Sequence, residues 1–180
     1  MKRIVVLEFL TADGVMESPE KWQFPYLSED LAKANQAQML ALDSLLLGRV
    51  TYEIFASSWP LRTNNEFGIA DKLNSMTKYV ISSGLETAKW NNSTLIKTNV
   101  VNEIAKTKQQ GEGDIGIVGS AALIRWLMPY NLIDEYRFLI HPIVLGKGRR
   151  LFADSTTLML KLVETKGFES GVILLAYQPV

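Results

Sequence analysis

The apolar residues of this chain come in short bursts separated by polar or glycine-containing punctuation, and the spacing within each burst predicts its element. Ile4 to Leu10 is a nearly continuous apolar run broken only by Glu8, as in a strand covered on both faces. Thr11 to Leu27 follows as a long loop. From Ser28 to Leu42, Leu31, Ala34, Ala37 and Ala41 keep one helical face apolar, Ser28 is placed to cap, and Glu29 and Asp30 suit the positive end of the helix dipole. Ser44 to Leu47 reads as a short buried strand, and a helix from Arg49 to Ala56 starts directly after Gly48.

Further on, Ile69 to Asn74 reads as helix, and Tyr79 to Ile81 and Thr94 to Lys97 as strands. Asn99 is placed to cap a helix reaching Gln110. Ile115 to Val118 is a strand, Gly119-Ser120 opens a helix to Met128, and Glu135 to Ile140 is a strand. Met159 to Thr165 and Val172 to Tyr177 read as an antiparallel pair around Gly167 and Gly171. Alternating strands and helices followed by a strand pair predict an α/β fold: a mixed, mostly parallel sheet with helices on its faces.

Composition narrows the function classes. A length of 180 residues suits one domain spanning 1–180, and the turn-rich points (Ser18-Pro19, Trp59-Pro60, Asn91-Asn92, Gly111 to Gly113, Gly146 to Gly148) punctuate it without dividing it. With 19 basic and 19 acidic residues and no Lys/Arg run longer than two, no nucleic-acid partner is expected. The absence of cysteine removes disulfide and thiolate chemistry and fits a cytoplasmic location. One histidine without cysteine leaves no zinc ligand set, so no metal is expected. No apolar stretch reaches the length of a membrane span, and Met1-Lys2-Arg3 leads into a strand and not a signal peptide.

Candidate chemistry collects at strand ends. Two strand-to-helix turns share one design: Gly48-Arg49-Val50-Thr51 and Gly119-Ser120-Ala121. A helix start offers unpaired N–H groups and partial positive charge, glycine permits close backbone approach, and Arg49 adds a charged fork suited to phosphate. The plain alternative is a tight turn with a surface arginine. Ser82-Ser83, after Tyr79 to Ile81, offers hydroxyls for a ribose or its phosphate, or forms an ordinary turn. Thr11 to Val15, after the first strand, places Asp13 as a polar anchor with Gly14 letting a flat ligand approach, or forms an Asp-Gly turn.

These pieces, in this order, resemble the dihydrofolate reductase-like superfamily. Leu47 to Glu53 looks like its first cofactor-binding turn, Ile81-Ser82-Ser83 like its strand end at the adenosine 2′-phosphate, and Val118 to Ala121 like its second, glycine-rich pyrophosphate turn. The branch it resembles is related to the C-terminal reductase domain of bacterial riboflavin biosynthesis. Thr11 to Gly14, Trp59-Pro60, and His141 to Gly148 followed by Arg150-Leu151-Phe152 carry that likeness. The match runs from about Arg3 to Tyr177.

The resemblance implies a three-layer dihydrofolate reductase-like fold, NADPH as cofactor, hydride transfer to a small heterocyclic substrate, and a homodimer. It assigns cofactor binding to Gly48, Arg49, Val50, Thr51, Ser82, Ser83, Gly119, Ser120 and Ala121, and places Thr11 and Asp13 by the nicotinamide and substrate as catalytic residues. Ser120 stands where the pattern has its second glycine, and Asp30 corresponds to the folate reductases' helix acid only with a small insertion before Gly48, or else serves the helix dipole. The His-x-Glu and Cys-x-x-Cys motifs of the zinc deaminase that precedes the riboflavin reductase are absent. The alternative is a non-catalytic nucleotide-binding module, or a structural homodimer, of the same fold.

Among the remaining residues, His141 reads as structural, and Trp22 as a packing residue or a lid over the site. Gly146 to Arg150 reads as a solvated turn or a phosphate contact. Glu8 is either an acid in a cleft or a residue at a solvated edge or dimer contact.

Overall fold

The computed structural model describes residues 1–152 and 156–180. In chain order its elements are β1 (Arg3–Thr11), α1 (Glu29–Ala41), β2 (Leu42–Gly48), α2 (Arg49–Ser58), α3 (Ala70–Ser75), β3 (Thr77–Ile81), β4 (Ser93–Ile96), α4 (Val100–Gln109), β5 (Asp114–Ile117), α5 (Ala121–Leu127), β6 (Glu135–His141), β7 (Leu160–Gly167) and β8 (Ile173–Pro179). Among the described residues eight strands form one sheet in the order β4-β3-β2-β5-β1-β6-β8-β7. The six from β4 to β6 run parallel, and β8 joins β6, and β7 joins β8, antiparallel.

Alternation of side chains along the strands gives the sheet two apolar faces. On one, Ile4, Val6 and Leu10 of β1, Leu46 of β2, and Ile115 and Ile117 of β5 pack against Ile104 of α4 and Leu123, Ile124 and Leu127 of α5. On the other, Leu45 and Leu47 of β2 pack with Met39 of α1, Tyr52 of α2 and Leu73 of α3. Phe9, Leu139 and Leu174 cover that face further along, under Leu31 of α1. This three-layer, mostly parallel α/β arrangement is the one the sequence predicts.

Several boundaries and caps differ from the sequence expectation. Thr11 belongs to β1 and is buried, because β1 stays paired with β6 through Thr11↔His141. The expected loop up to Leu27 contains two 3-10 turns, Pro19–Lys21 and Phe24–Tyr26, each with a proline in its first positions. Ser28 and Asn99 do precede α1 and α4, yet neither side chain caps its helix. Asn99 takes a left-handed conformation, and the Ser28 hydroxyl donates to Asp30 instead. Ser120 does cap α5, accepting from Leu123 N at 3.4 Å.

The amino ends of the parallel strands are tied by charge. Arg3 bridges Asp114 and Glu135, and the buried Lys108 ammonium reaches Asp134 and the Leu132 carbonyl. Lys78 of β3 is fully buried, donating to the Asn74 and Asn91 carbonyls with the Trp90 ring 4.0 Å away.

Candidate active site

Strand register opens a notch at the carboxyl end of the sheet. Pairing of β5 with β1 ends at Val6↔Ile117, and with β2 at Leu45↔Gly116. Its neighbours run on: β2 pairs with β3 through Gly48↔Ile81, and β1 with β6 through Thr11↔His141. From β1 the chain crosses to β2 on one side, while β6 lies on the other. The notch between β1 and β2, floored by the end of β5, is therefore a topological switch point, where open α/β sheets bind ligands.

The two glycine turns meet there. A Cβ placed on Gly48 would stand 3.0 Å from Ser120 Oγ, and one on Gly119 would stand 3.2 Å from Thr51 Oγ1. Gly119 has φ +65°, open to glycine at little cost, and the Gly119–Ser120 peptide is cis. Gly48 contributes no capping side chain to α2, so the first-turn N–H groups of that helix lack a side-chain acceptor. The structure thus brings Gly48, Thr51, Gly119 and Ser120 together. Arg49 and Val50 are exposed at the start of α2, where the Arg49 guanidinium lies 3.0 Å from Glu53, an exposed pair that holds it only weakly. Ala121 is buried.

Ser82 and Ser83 follow β3, the next strand beyond β2. Ser82 is buried and its hydroxyl accepts from Leu85 N, forming the turn, while Ser83 is exposed.

Thr11 and Asp13 organise the loops beyond β1. Thr11 Oγ1 donates to Asp13 at 2.6 Å and accepts from Val15 N at 2.9 Å. Asp13 also accepts from Leu145 N and Gly146 N, and Arg150 donates to its carbonyl. The Thr11 hydroxyl first, and then these N–H groups, hold the Asp13 carboxyl down at about 2, so it is ionised at neutral pH. The basic segment Gly146 to Arg150 is thus pinned to the end of β1, with Arg149 N donating to Glu17. Asp30 is likewise committed, accepting from the Ser28 hydroxyl and from Leu31 N and Glu169 N, which hold it below its ordinary range.

His141 is buried with Nδ1 2.9 Å from the Leu139 carbonyl, and burial holds the imidazole below its ordinary range. Phe9, Trp22 and Tyr26 stand edge-on around it, so Trp22 closes over His141. Among the described residues no group of three or more His, Cys, Asp or Glu is placed to hold a metal, and no helix is long and apolar enough to cross a membrane. A separate open groove of about 670 Å³ follows α2 past Tyr52, Ser57, Lys89 and Trp90, and none of the expected cofactor residues lines it.

Glu8 is the residue the sequence left open. It lies on the β1 face that carries Val6 and Leu10, is 8% exposed, and its Oε1 accepts from Gly119 N at 2.6 Å. It is neither at a solvated edge nor in an ion pair among the described residues. Burial pushes its carboxyl up to about 8 against the opposing effect of the Gly119 N–H. A lone acid interrupting an apolar strand was the signal in the sequence.

Comparison with known proteins agrees with this architecture. Residues 2–174 match the model of the RibD C-terminal domain. Protein YyaP of Bacillus subtilis is 30% identical over 98% of this chain and 94% of its own. A Shewanella sp. PV-4 protein assigned to riboflavin biosynthesis shares the fold, with a TM-score of 0.78 at 18% identity over 99% of both chains. The dihydrofolate reductase of Enterococcus faecalis, solved with NADP(H) and RAB-propyl, superposes with a TM-score of 0.65 at 18% identity, over 98% of this chain and 96% of its own. Sharing both the sequence pattern and the sheet that builds this notch, the chain belongs to the RibD C-terminal domain family.

Proposed function

We propose that the protein is an NADPH-dependent reductase that passes hydride to a small heterocyclic substrate. The observation that carries this reading is the meeting of the two glycine turns at the switch point, beside an α2 start without a capping side chain. Such a place suits a dianionic pyrophosphate, which backbone N–H groups and the positive end of a ten-residue helix would hold. Gly48, Val50 and Thr51 on one side and Gly119, Ser120 and Ala121 on the other form the cradle. Arg49, with Ser82 and Ser83 one strand further, receives the adenosine 2′-phosphate, a better partner for the guanidinium than exposed Glu53.

When bound, the cofactor supplies the hydride. The protein positions the reactants and keeps water out. Thr11 and Asp13 border the reacting end and hold the loops that shape it. Asp13, ionised and saturated with donors, is not a proton source. The reading includes a homodimer, for which the edge strand β7, with Leu162 and Val163 exposed, offers a surface; light scattering tests this directly.

The test of the function is Arg49→Ala. NADPH affinity falls at least tenfold and NADH affinity changes little, as followed by tryptophan fluorescence. Equal losses for both cofactors remove Arg49 from the 2′-phosphate role. Binding without oxidation of NADPH by any pyrimidine or pterin acceptor favours the non-catalytic reading instead.

A further inference from the structure

Where β1 and β5 part, one backbone donor is left to a side chain. Continuing the register past Val6↔Ile117 would set Glu8 opposite Gly119, and there the Glu8 carboxyl, not a strand carbonyl, accepts the Gly119 N–H. Glu8 thus links the β1 side of the notch to the turn proposed to receive a pyrophosphate. It comes from a strand on which every other side chain from Ile4 to Leu10 is apolar.

We propose that Glu8 is a positioning acid for this site: neutral, it holds the Gly119–Ser120 turn while leaving the notch free of negative charge, and ionised, it opposes the anionic ligand, so that binding takes up a proton. The inference rests on the dinucleotide reading above and adds to it a residue and a pH dependence.

The groups on the surrounding elements do not mimic this behaviour. Beyond the end of β1, Asp13 is ionised throughout the neutral range, and Arg150 donates to its carbonyl. Tyr136 of β6 is pushed up to about 12 by burial. Glu8 itself is raised to about 8 by burial. Lys78 also lies near 8, for the same reason, but sits on β3, with β2 and β5 between it and β1.

The test compares the full chain with Glu8→Gln, whose amide oxygen still accepts the Gly119 N–H but cannot ionise. The wild-type Kd for NADPH rises about tenfold from pH 7 to pH 9, as expected where only the neutral form of a group titrating near 8 binds. The Kd of Glu8→Gln stays flat, which also separates Glu8 from Lys78. Calorimetry at pH 8 in buffers of different ionisation enthalpy shows uptake of about half a proton by the wild type and none by the variant. In the ligand-free protein, a carbon-13 carboxyl titration places Glu8 well above the ordinary carboxylate range. Equal pH profiles in both proteins, or a Glu8 carboxyl titrating near 4, overturn the proposal while leaving the dinucleotide reading intact. Failure of both proteins to bind NADPH at any pH removes that reading, and this proposal with it.

Discussion

Contact between the two glycine turns can be measured by a mutant cycle. In Gly48→Ala the backbone is not strained, since φ at Gly48 is −76°, so the effect is one of space. The new Cβ would lie 3.0 Å from Ser120 Oγ but 3.8 Å from Leu123 Cβ and 4.0 Å from Ser120 Cβ. Only the hydroxyl has to move, and moving it weakens a cap bond that is already long at 3.4 Å. Crowding costs about 1 kcal/mol, the low end for overpacking, and Ser120→Ala alone costs about 0.5 kcal/mol, the low end for a cap. In the double variant the crowded atom is gone. The two changes together therefore cost about 1 kcal/mol less than the sum of the singles. The gain from restricting the unfolded chain on Gly→Ala appears in both the single and the double variant and cancels. Urea denaturation of the four proteins measures the coupling. Additivity within about 0.3 kcal/mol would mean that the turns do not touch as described.

Other perturbations test the surrounding structure. Asp13→Asn weakens the acceptor for Thr11, Leu145 and Gly146. Because the folded carboxyl is held at about 2, below its unfolded value, its contribution is present above the unfolded value and lost as pH falls towards 2; acid denaturation curves should show the wild type losing stability more steeply than the variant. Glu8 behaves oppositely: with its folded value near 8, wild-type stability declines as pH rises from about 4.5 to 8, and Glu8→Gln removes that decline in a series of urea melts. Lys78→Met leaves the Asn74 and Asn91 carbonyls without their donor and costs about 2–6 kcal/mol in thermal or urea unfolding, at about one to three for each orphaned group.

How far the sequence foretold this molecule depended on what each residue's neighbours contributed. Strand β1 and helices α2 and α5 were legible because apolar periodicity and glycine punctuation are local properties. The two glycine turns were legible as separate motifs, but their contact comes from β5 inserting between β1 and β2, which no local pattern encodes. Lys78 escaped notice as a strand residue because a charged side chain argues against a buried position, and only the carbonyls of Asn74 and Asn91 make it one. Asn99 looked like a cap, yet asparagine also tolerates the left-handed conformation it adopts here. Asp13 was read as an anchor from its place at a strand end, and the family resemblance added Thr11; the hydrogen bonds of Asp13 to a segment more than 130 residues away, with Thr11 donating to Asp13, were not legible in the sequence. Glu8 was visible as an anomaly, but its partner, 111 residues distant, was not.

In the proposed function NADPH lies across the two glycine turns at the end of β5. Backbone amide shifts in a nitrogen-15 labelled sample, recorded as NADPH is added, test this most directly. Saturable shifts are expected, concentrated at Gly48, Arg49, Thr51, Gly119 and Ser120 and extending to Ser82 and Ser83. Shifts confined to the groove around Ser57, Lys89 and Trp90, or no shifts at millimolar NADPH, would contradict it.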